Sequence, residues 1–204
     1  MQPEIEFRVT TDMRLVDLAS EGIDIAIRYG LGVWPGLRSD RLQMTDVVFP
    51  VCSPALLNSS LRLRKPIGLA SHTLLYVDYQ RPEWELWLDA ACVSPKVARD
   101  LVRRGRKFDV AYMALQAASE GLGVALGYAP FVEADIVAGR LVAPFNLSLP
   151  STVGYDAYLV CPESMMEVPE ISLFRDWLLA DAKAPRSGVY HWLRNATAIK
   201  SNGR

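Results

Sequence analysis

Residues 15–57 read LVDLASEGIDIAIRYGLGVWPGLRSDRLQMTDVVFPVCSPALL, joining a short amphipathic helix, an apolar strand, a Gly/Trp/Pro loop and a second strand. Upstream, Ile5, Phe7 and Val9 alternate with polar residues, which predicts a strand ending at Thr10-Thr11-Asp12. Asp12 is placed to cap a helix with Leu15, Leu18 and Ala19 on one face, and Gly22 stands where a helix needs a left-handed terminal residue. The next strand spans 23–29. Its centre, Ile25-Ala26-Ile27, is the short apolar run expected of a parallel strand covered on both faces. Strand, helix and strand form a βαβ unit, which makes the chain α/β.

The pattern then repeats. A strand over 47–52 runs into Ser53-Pro54, a capping hydroxyl followed by proline at the first helical position. After a strand at 73–77, Trp84, Trp87, Leu88 and Ala91 give a helix one apolar face. A short strand over 106–108 leads to Asp109, read as the cap of a helix with Met113, Ala114, Ala117 and Ala118 inward and Gly121 as its terminator. Residues 123–127 read as a brief buried strand, 130–138 as a helix stopped by Gly139, 155–161 as an alternating strand and 171–182 as a last helix.

One internal echo suggests the architecture. Phe49-Pro50-Val51-Cys52-Ser53-Pro54 and Tyr158-Leu159-Val160-Cys161-Pro162 are similar strands with a complete α/β unit between them. A chain that leaves one lobe, builds a second and returns needs two such crossings. The expected division is a first lobe of 1–52 plus 155–183, a second lobe of 53–154 and a C-terminal tail of 184–204, with a hinge and a cleft suited to a small molecule.

Composition narrows the function. Half of the 204 residues are apolar, enough for a real core, and the net charge of −1 lacks the basic excess of a surface built for nucleic acid. The N-terminal MQPEIEFRVTTD has no signal-peptide pattern and no apolar run reaches membrane-spanning length, so a cytoplasmic location is expected. Cys52, Cys92 and Cys161 lack metal spacing and fit reduced, buried, inert thiols, with redox sensing as the alternative. His72 and His191 are isolated and read as surface or satisfied histidines rather than metal ligands or bases. Gly30-Leu31-Gly32 with Gly36 is only superficially a dinucleotide fingerprint, because the spacing is wrong and Trp34-Pro35 interrupts any helix there. Arg99, Arg103, Arg104, Arg106 and Lys107 form a basic run, read as a solvated face or as an attractor of an anionic ligand. No nucleophile with its base, metal cluster or phosphate loop stands out, so neither an enzyme nor a cofactor is expected.

The runs LVDLASEGIDIAIRYGLGVWPGLRSDRL, FPVCSPALL, EGLGVALGYAPFVEADIVAGRLVAPF, YLVCPE and FRDWLLADA, in that order, resemble the effector-binding domain of LysR-type transcriptional regulators, most of all the glycine-cleavage-activator-like branch. The resemblance covers about residues 4–182. It implies a two-lobed fold like that of type II periplasmic binding proteins, control of transcription by a small effector held between the lobes, and a dimer or tetramer. It also implies a winged helix-turn-helix that is not found before Glu4, and a first-lobe strand and helix that are likewise not found, so the sequence looks like a C-terminal piece of such a regulator. The first lobe is then expected to be incomplete and the second, about 54–153, native-like.

Carried over from the family, the effector loops match Thr10, Thr11, Asp12, Tyr29 and Gly30 in the first lobe and Phe108, Asp109, Val110 and Tyr128 in the second. Hydroxyl donors facing the unpaired amides of a helix start suit a carboxylate. The alternatives are a stand-alone cytoplasmic small-molecule-binding protein and an enzyme using the same cleft.

Overall fold

The computed structural model describes residues 5–12, 14–42, 47–59, 61–150 and 156–183. In chain order the regular elements are β1 (Ala26–Gly30), β2 (Leu37–Arg41), β3 (Val47–Val51), α1 (Pro54–Ser59), β4 (Leu74–Tyr76), α2 (Arg81–Ala90) and α3 (Pro95–Arg104). They continue with β5 (Arg106–Lys107), α4 (Ala111–Ser119), β6 (Val124–Tyr128), α5 (Ala129–Val137), β7 (Leu149–Pro150), β8 (Asp156–Pro162) and α6 (Pro169–Lys183). Two compact units result, one of Met1–Met44 with Gly154–Pro185 and one built on Thr45–Val153.

The second unit is a three-layer α/β/α sandwich around a mixed sheet of order β5-β4-β6-β3-β7. β4 runs parallel to both β5 and β6, whereas β3 pairs antiparallel with β6 and β7. Alternation along the buried strands supplies both faces. Leu74, Tyr76, Val124 and Leu126 pack with Trp84, Trp87 and Leu88 of α2 and with Leu101 and Val102 of α3. Leu75, Ala125, Phe49 and Val51 pack with Ala114, Ala117 and Ala118 of α4 and with Val132 of α5. Gly121 and Gly139 take positive φ, 80° and 71°, where they end α4 and α5.

At the start of α1, Ser53 Oγ accepts the Leu56 N–H at 3.1 Å, as the Ser-Pro pattern predicts. Met113, expected inward on α4, is instead 54% exposed, because the inward face falls on Ala114, Leu115, Ala117 and Ala118. The strand expected as a crossing from the first lobe lies wholly in the second unit. Its partners β6 and β7 are there, and Cys52 exchanges backbone hydrogen bonds with Val142. The first division therefore falls between residues 44 and 45 rather than after 52, and the expected tail at 184–204 lies outside the described residues.

The first unit departs further from the βαβ expectation. Its sheet has the order β1-β8-β2 and both pairings are antiparallel. The apolar run 25–27 thus pairs with a strand from the far end of the chain. One face packs under α6, where Ala157 and Leu159 meet Phe174, Leu178 and Leu179. Residues 5–10 form no strand, since no neighbouring strand among the described residues pairs with their backbone. The helix expected after Asp12 shrinks to a turn around Leu18–Gly22, closed by Ile23 N–H donating to Leu18 O at 2.9 Å. So short a helix is marginal without a face to bury, and only Leu18 finds one: it is 1% exposed, Leu15 73%. Gly22 keeps its predicted left-handed φ of 64°.

Two tryptophans on α2 separate packing from hydrogen bonding. Trp87 Nε1 donates to Leu147 O at 3.1 Å, whereas Trp84 Nε1 is buried without a partner among the described residues. Both rings are fully buried. Trp87→Phe and Trp84→Phe remove the same atoms, but only the first orphans an acceptor, so Trp87→Phe is expected to destabilise the chain by about 1–2 kcal/mol more. Urea unfolding checks the difference, and equal losses contradict it.

Candidate functional site

Parallel pairing of β4 with β5 and β6 puts the carboxyl ends of three strands at one edge of the second sheet. Phe108, Asp109 and Val110 follow β5, and Tyr128 closes β6 and opens α5. β5 and β6 flank β4, so these two groups stand about 10 Å apart across it. Phe108 N–H donates to Tyr76 O at 2.9 Å, which ties the first group to the end of β4. The second-unit residues expected at the site therefore share one edge.

Local chemistry at that edge differs from expectation at Asp109. The residue is exposed, and the N-cap of α4 is Val110, whose backbone is extended and whose side chain makes no capping bond. A hydroxyl or carboxyl side chain is what usually takes the first-turn amides, and valine has neither. α5 begins in the same way, with Tyr128 at its N-cap and no side-chain cap. Two helix N-termini thus meet one edge, neither with a capping bond from its own N-cap side chain, and the positive ends of two helix dipoles favour an anion there.

Behind the edge lies a buried polar group that sequence reasoning missed. Glu83, in the first turn of α2, is 2% exposed and accepts a hydrogen bond from the Tyr128 hydroxyl. One turn earlier Gln80, also buried, accepts the Val77 N–H on Oε1 at 3.2 Å and donates Nε2 to Leu126 O at 3.5 Å. Pro82-Glu83 at a helix start reads as an exposed first-turn acid, and nothing in the local sequence signals its burial. At the exposed rim Lys107 Nζ meets Asp78 Oδ1 at 2.7 Å, and this hydrogen bond raises the pKa of the ammonium.

In the first unit the expected residues divide. Tyr29 and Gly30 end β1; Tyr29 is half exposed, while Gly30 is buried against Trp34, whose Cζ2 would lie 2.7 Å from any added Cβ. Trp34 in turn stands edge-on to Tyr158, with ring centroids 5.6 Å apart. The glycine loop is therefore packing chemistry. Thr10 and Thr11 are exposed in an irregular segment, and Asp12 accepts the Arg14 N–H at 2.8 Å and pairs with its guanidinium at 2.6 Å instead of capping a helix.

The other sequence candidates fall outside this edge or outside the described residues. His191 lies outside them, and partial burial lowers the pKa of His72. The basic run is exposed: Arg103 pairs with Asp100 at 3.4 Å, and Lys107 with Asp78. Cys52 and Cys161 are buried as expected, but Cys92 is exposed, at φ 57° just past the end of α2. Burial pushes the Cys52 thiol up to about 11 and raises that of Cys161 as well. Since the thiolate is the nucleophile, Ellman's reagent at pH 8 is expected to titrate Cys92 rapidly and the other two thiols only on unfolding. Rapid loss of more than one thiol from the native chain contradicts this arrangement.

A family model described as the LysR substrate binding domain matches residues 1–183. The chain is 40% identical over 182 residues to the glycine cleavage system transcriptional activator of Escherichia coli K12, covering 89% of this chain and 57% of that protein. It is 34% identical over 183 residues to the HTH-type transcriptional activator AmpR of Providencia stuartii, with 90% and 58% covered. Among solved structures it is similar to the effector domain of AmpR from Pseudomonas aeruginosa, with a TM-score of 0.70 and 31% identity over 89% of this chain and 82% of that one. The chain thus spans under three fifths of the length of these curated relatives.

Proposed function

Because the chain belongs to the LysR substrate-binding domain family, we propose that it is the effector-sensing domain of a LysR-type transcriptional regulator, binding a small carboxylate-bearing metabolite without transforming it. The observation that carries this reading is the family match itself, which runs over residues 1–183 and so through both units. The similar curated proteins are named as transcriptional activators, not as enzymes. Among the described residues no group of His, Cys, Asp and Glu could hold a metal ion, and no helix is long and apolar enough to cross a membrane. The proposed location is the cytoplasm, where such a regulator meets both its metabolite and its promoter.

In this reading the second-unit edge carries the carboxylate-binding residues. The starts of α4 and α5 attract the carboxylate, with Phe108, Asp109, Val110 and Tyr128 as the lining. Thr10, Thr11, Asp12, Tyr29 and Gly30 are the first-unit candidates, and they rest on family resemblance alone. DNA recognition belongs to a winged helix-turn-helix in the part of the regulator that this chain does not span, and assembly into a dimer or tetramer follows the family.

Val110→Asp separates ligand binding from stability. The new carboxylate caps α4, which adds about 0.5–2 kcal/mol of stability, while it fills and repels the place where an anion would sit. Calorimetry with a panel of alanine, glutamate, acetate and succinate is expected to find a ligand whose affinity falls about tenfold or more in Val110→Asp, equivalent to about 1.4 kcal/mol. Thr11→Val tests the first-unit side by the same measurement. A panel ligand that binds both variants as tightly as the unaltered chain contradicts the assigned site, and no binding by any panel member contradicts the ligand class.

A further inference from the structure

On the face of the second sheet opposite to α4 and α5, helices α2 and α3 are joined by the turn 91–94, and between them lies an open groove of about 460 Å³. α2 lines it with Arg81, Glu85 and Asp89, one helical face, and α3 lines it with Arg99 and Arg103. Val93 and Ala98, both buried, give the groove an apolar lining as well. Its charges are not all used within the fold. Arg81 Nε meets Glu85 Oε1 at 3.4 Å and Arg103 meets Asp100, also at 3.4 Å, but the side chains of Asp89 and Arg99 make no ion pair or hydrogen bond among the described residues. Asp89 is also badly placed for stability. It stands in the last turn of α2, where the helix dipole disfavours a carboxylate, one turn after the like charge of Glu85, and that turn holds no basic residue to offset either. Two opposite charges, both exposed and both unpaired, thus line one groove without reaching each other.

We propose that this groove is a ligand site separate from the effector edge, for a small zwitterion whose ammonium and carboxylate are held apart by an apolar chain. Asp89 takes the ammonium, Arg99 the carboxylate, and Val93 and Ala98 meet the methylenes between them. The separation follows from the scaffold, since the axes of packed helices lie about 8–10 Å apart and the two charges stand on different helices. A ligand ammonium at Asp89 offsets the repulsion from Glu85 and from the helix end together. No residue of the effector edge takes part, so the inference is independent of the effector reading. Because Asp89 and Arg99 are exposed, binding is expected to weaken as salt rises.

The test titrates the full chain with β-alanine, γ-aminobutyrate and ε-aminocaproate, with caproate and hexylamine as singly charged controls. Calorimetry gives the affinity, and the amide resonances of Asp89, Cys92, Val97 and Arg99 give the place. Affinity is expected to rise along the three zwitterions as the charges separate. ε-Aminocaproate is expected to shift those amides and to lose about tenfold or more in affinity in each of Asp89→Asn and Arg99→Gln. Neither substitution removes a partner that the fold uses, so the urea midpoint is expected to hold or, in Asp89→Asn, to rise. Any caproate bound at the effector edge is expected to be indifferent to both substitutions, which keeps a failure of this site distinct from a failure of that one. Three results overturn the proposal: a singly charged control that shifts the same amides as strongly as ε-aminocaproate, unchanged ε-aminocaproate affinity in either variant, or no zwitterion bound at all. Self-association that both substitutions abolish, with no amide shift by ε-aminocaproate, overturns it in favour of a second copy of the chain.

Discussion

The placement of β6 governs the rest of the second unit. It lies between a parallel neighbour, β4, and an antiparallel one, β3, so both of its edges are bonded and its side chains feed both helical layers. Space for it is set by two glycines. A Cβ at Gly123 would meet Thr73 O at 2.3 Å, and one at Gly127 would meet Val132 Cγ1 at 2.7 Å. The first lets the chain enter beside β4, and the second lets α5 fold back onto the strand. With β6 held there, Tyr128 and the start of α5 can only emerge at the edge where α4 also begins.

That edge combines features that are ordinary alone. Two helices start without side-chain caps, a buried carboxyl group holds a phenol, and a lysine–aspartate pair closes the exposed rim. Uncapped amides are tolerable where water or a ligand can reach them. Their cost is a few tenths to about 2 kcal/mol per helix relative to a capping side chain, which a sequence would shed easily if stability were the sole demand. Val110 at the α4 cap, next to an aspartate that does not cap, is the clearest instance.

Much of the second unit was legible because its signals are local. Trp84, Trp87 and Leu88 at helical spacing, Ser53-Pro54 at a helix start, and Gly121 and Gly139 at helix ends each report a conformation fixed within a few residues. α3 carries the same kind of signal, Ser94-Pro95 followed by Ala98, Leu101 and Val102, and the charged residues between them obscured it. β2, LRSDR, has no apolar alternation and exists because β8 pairs with it. The first unit was read poorly for that reason: its strands depend on partners distant in sequence, and 15–22 lacks a face against which to complete a helix. At the candidate site, resemblance nominated Tyr128 and the 108–110 turn, while Glu83 and Gln80 were invisible because burial of a first-turn acid is decided by strands that lie dozens of residues away.

Hydrogen exchange on the intact chain, with and without a saturating small carboxylate, tests the central claim most directly. Slowed exchange is predicted for the amides of residues 110–113 and of Tyr128, Ala129 and Phe131, with no change along α3. Protection confined to other segments, or none at either helix start while the ligand is demonstrably bound, would contradict the account.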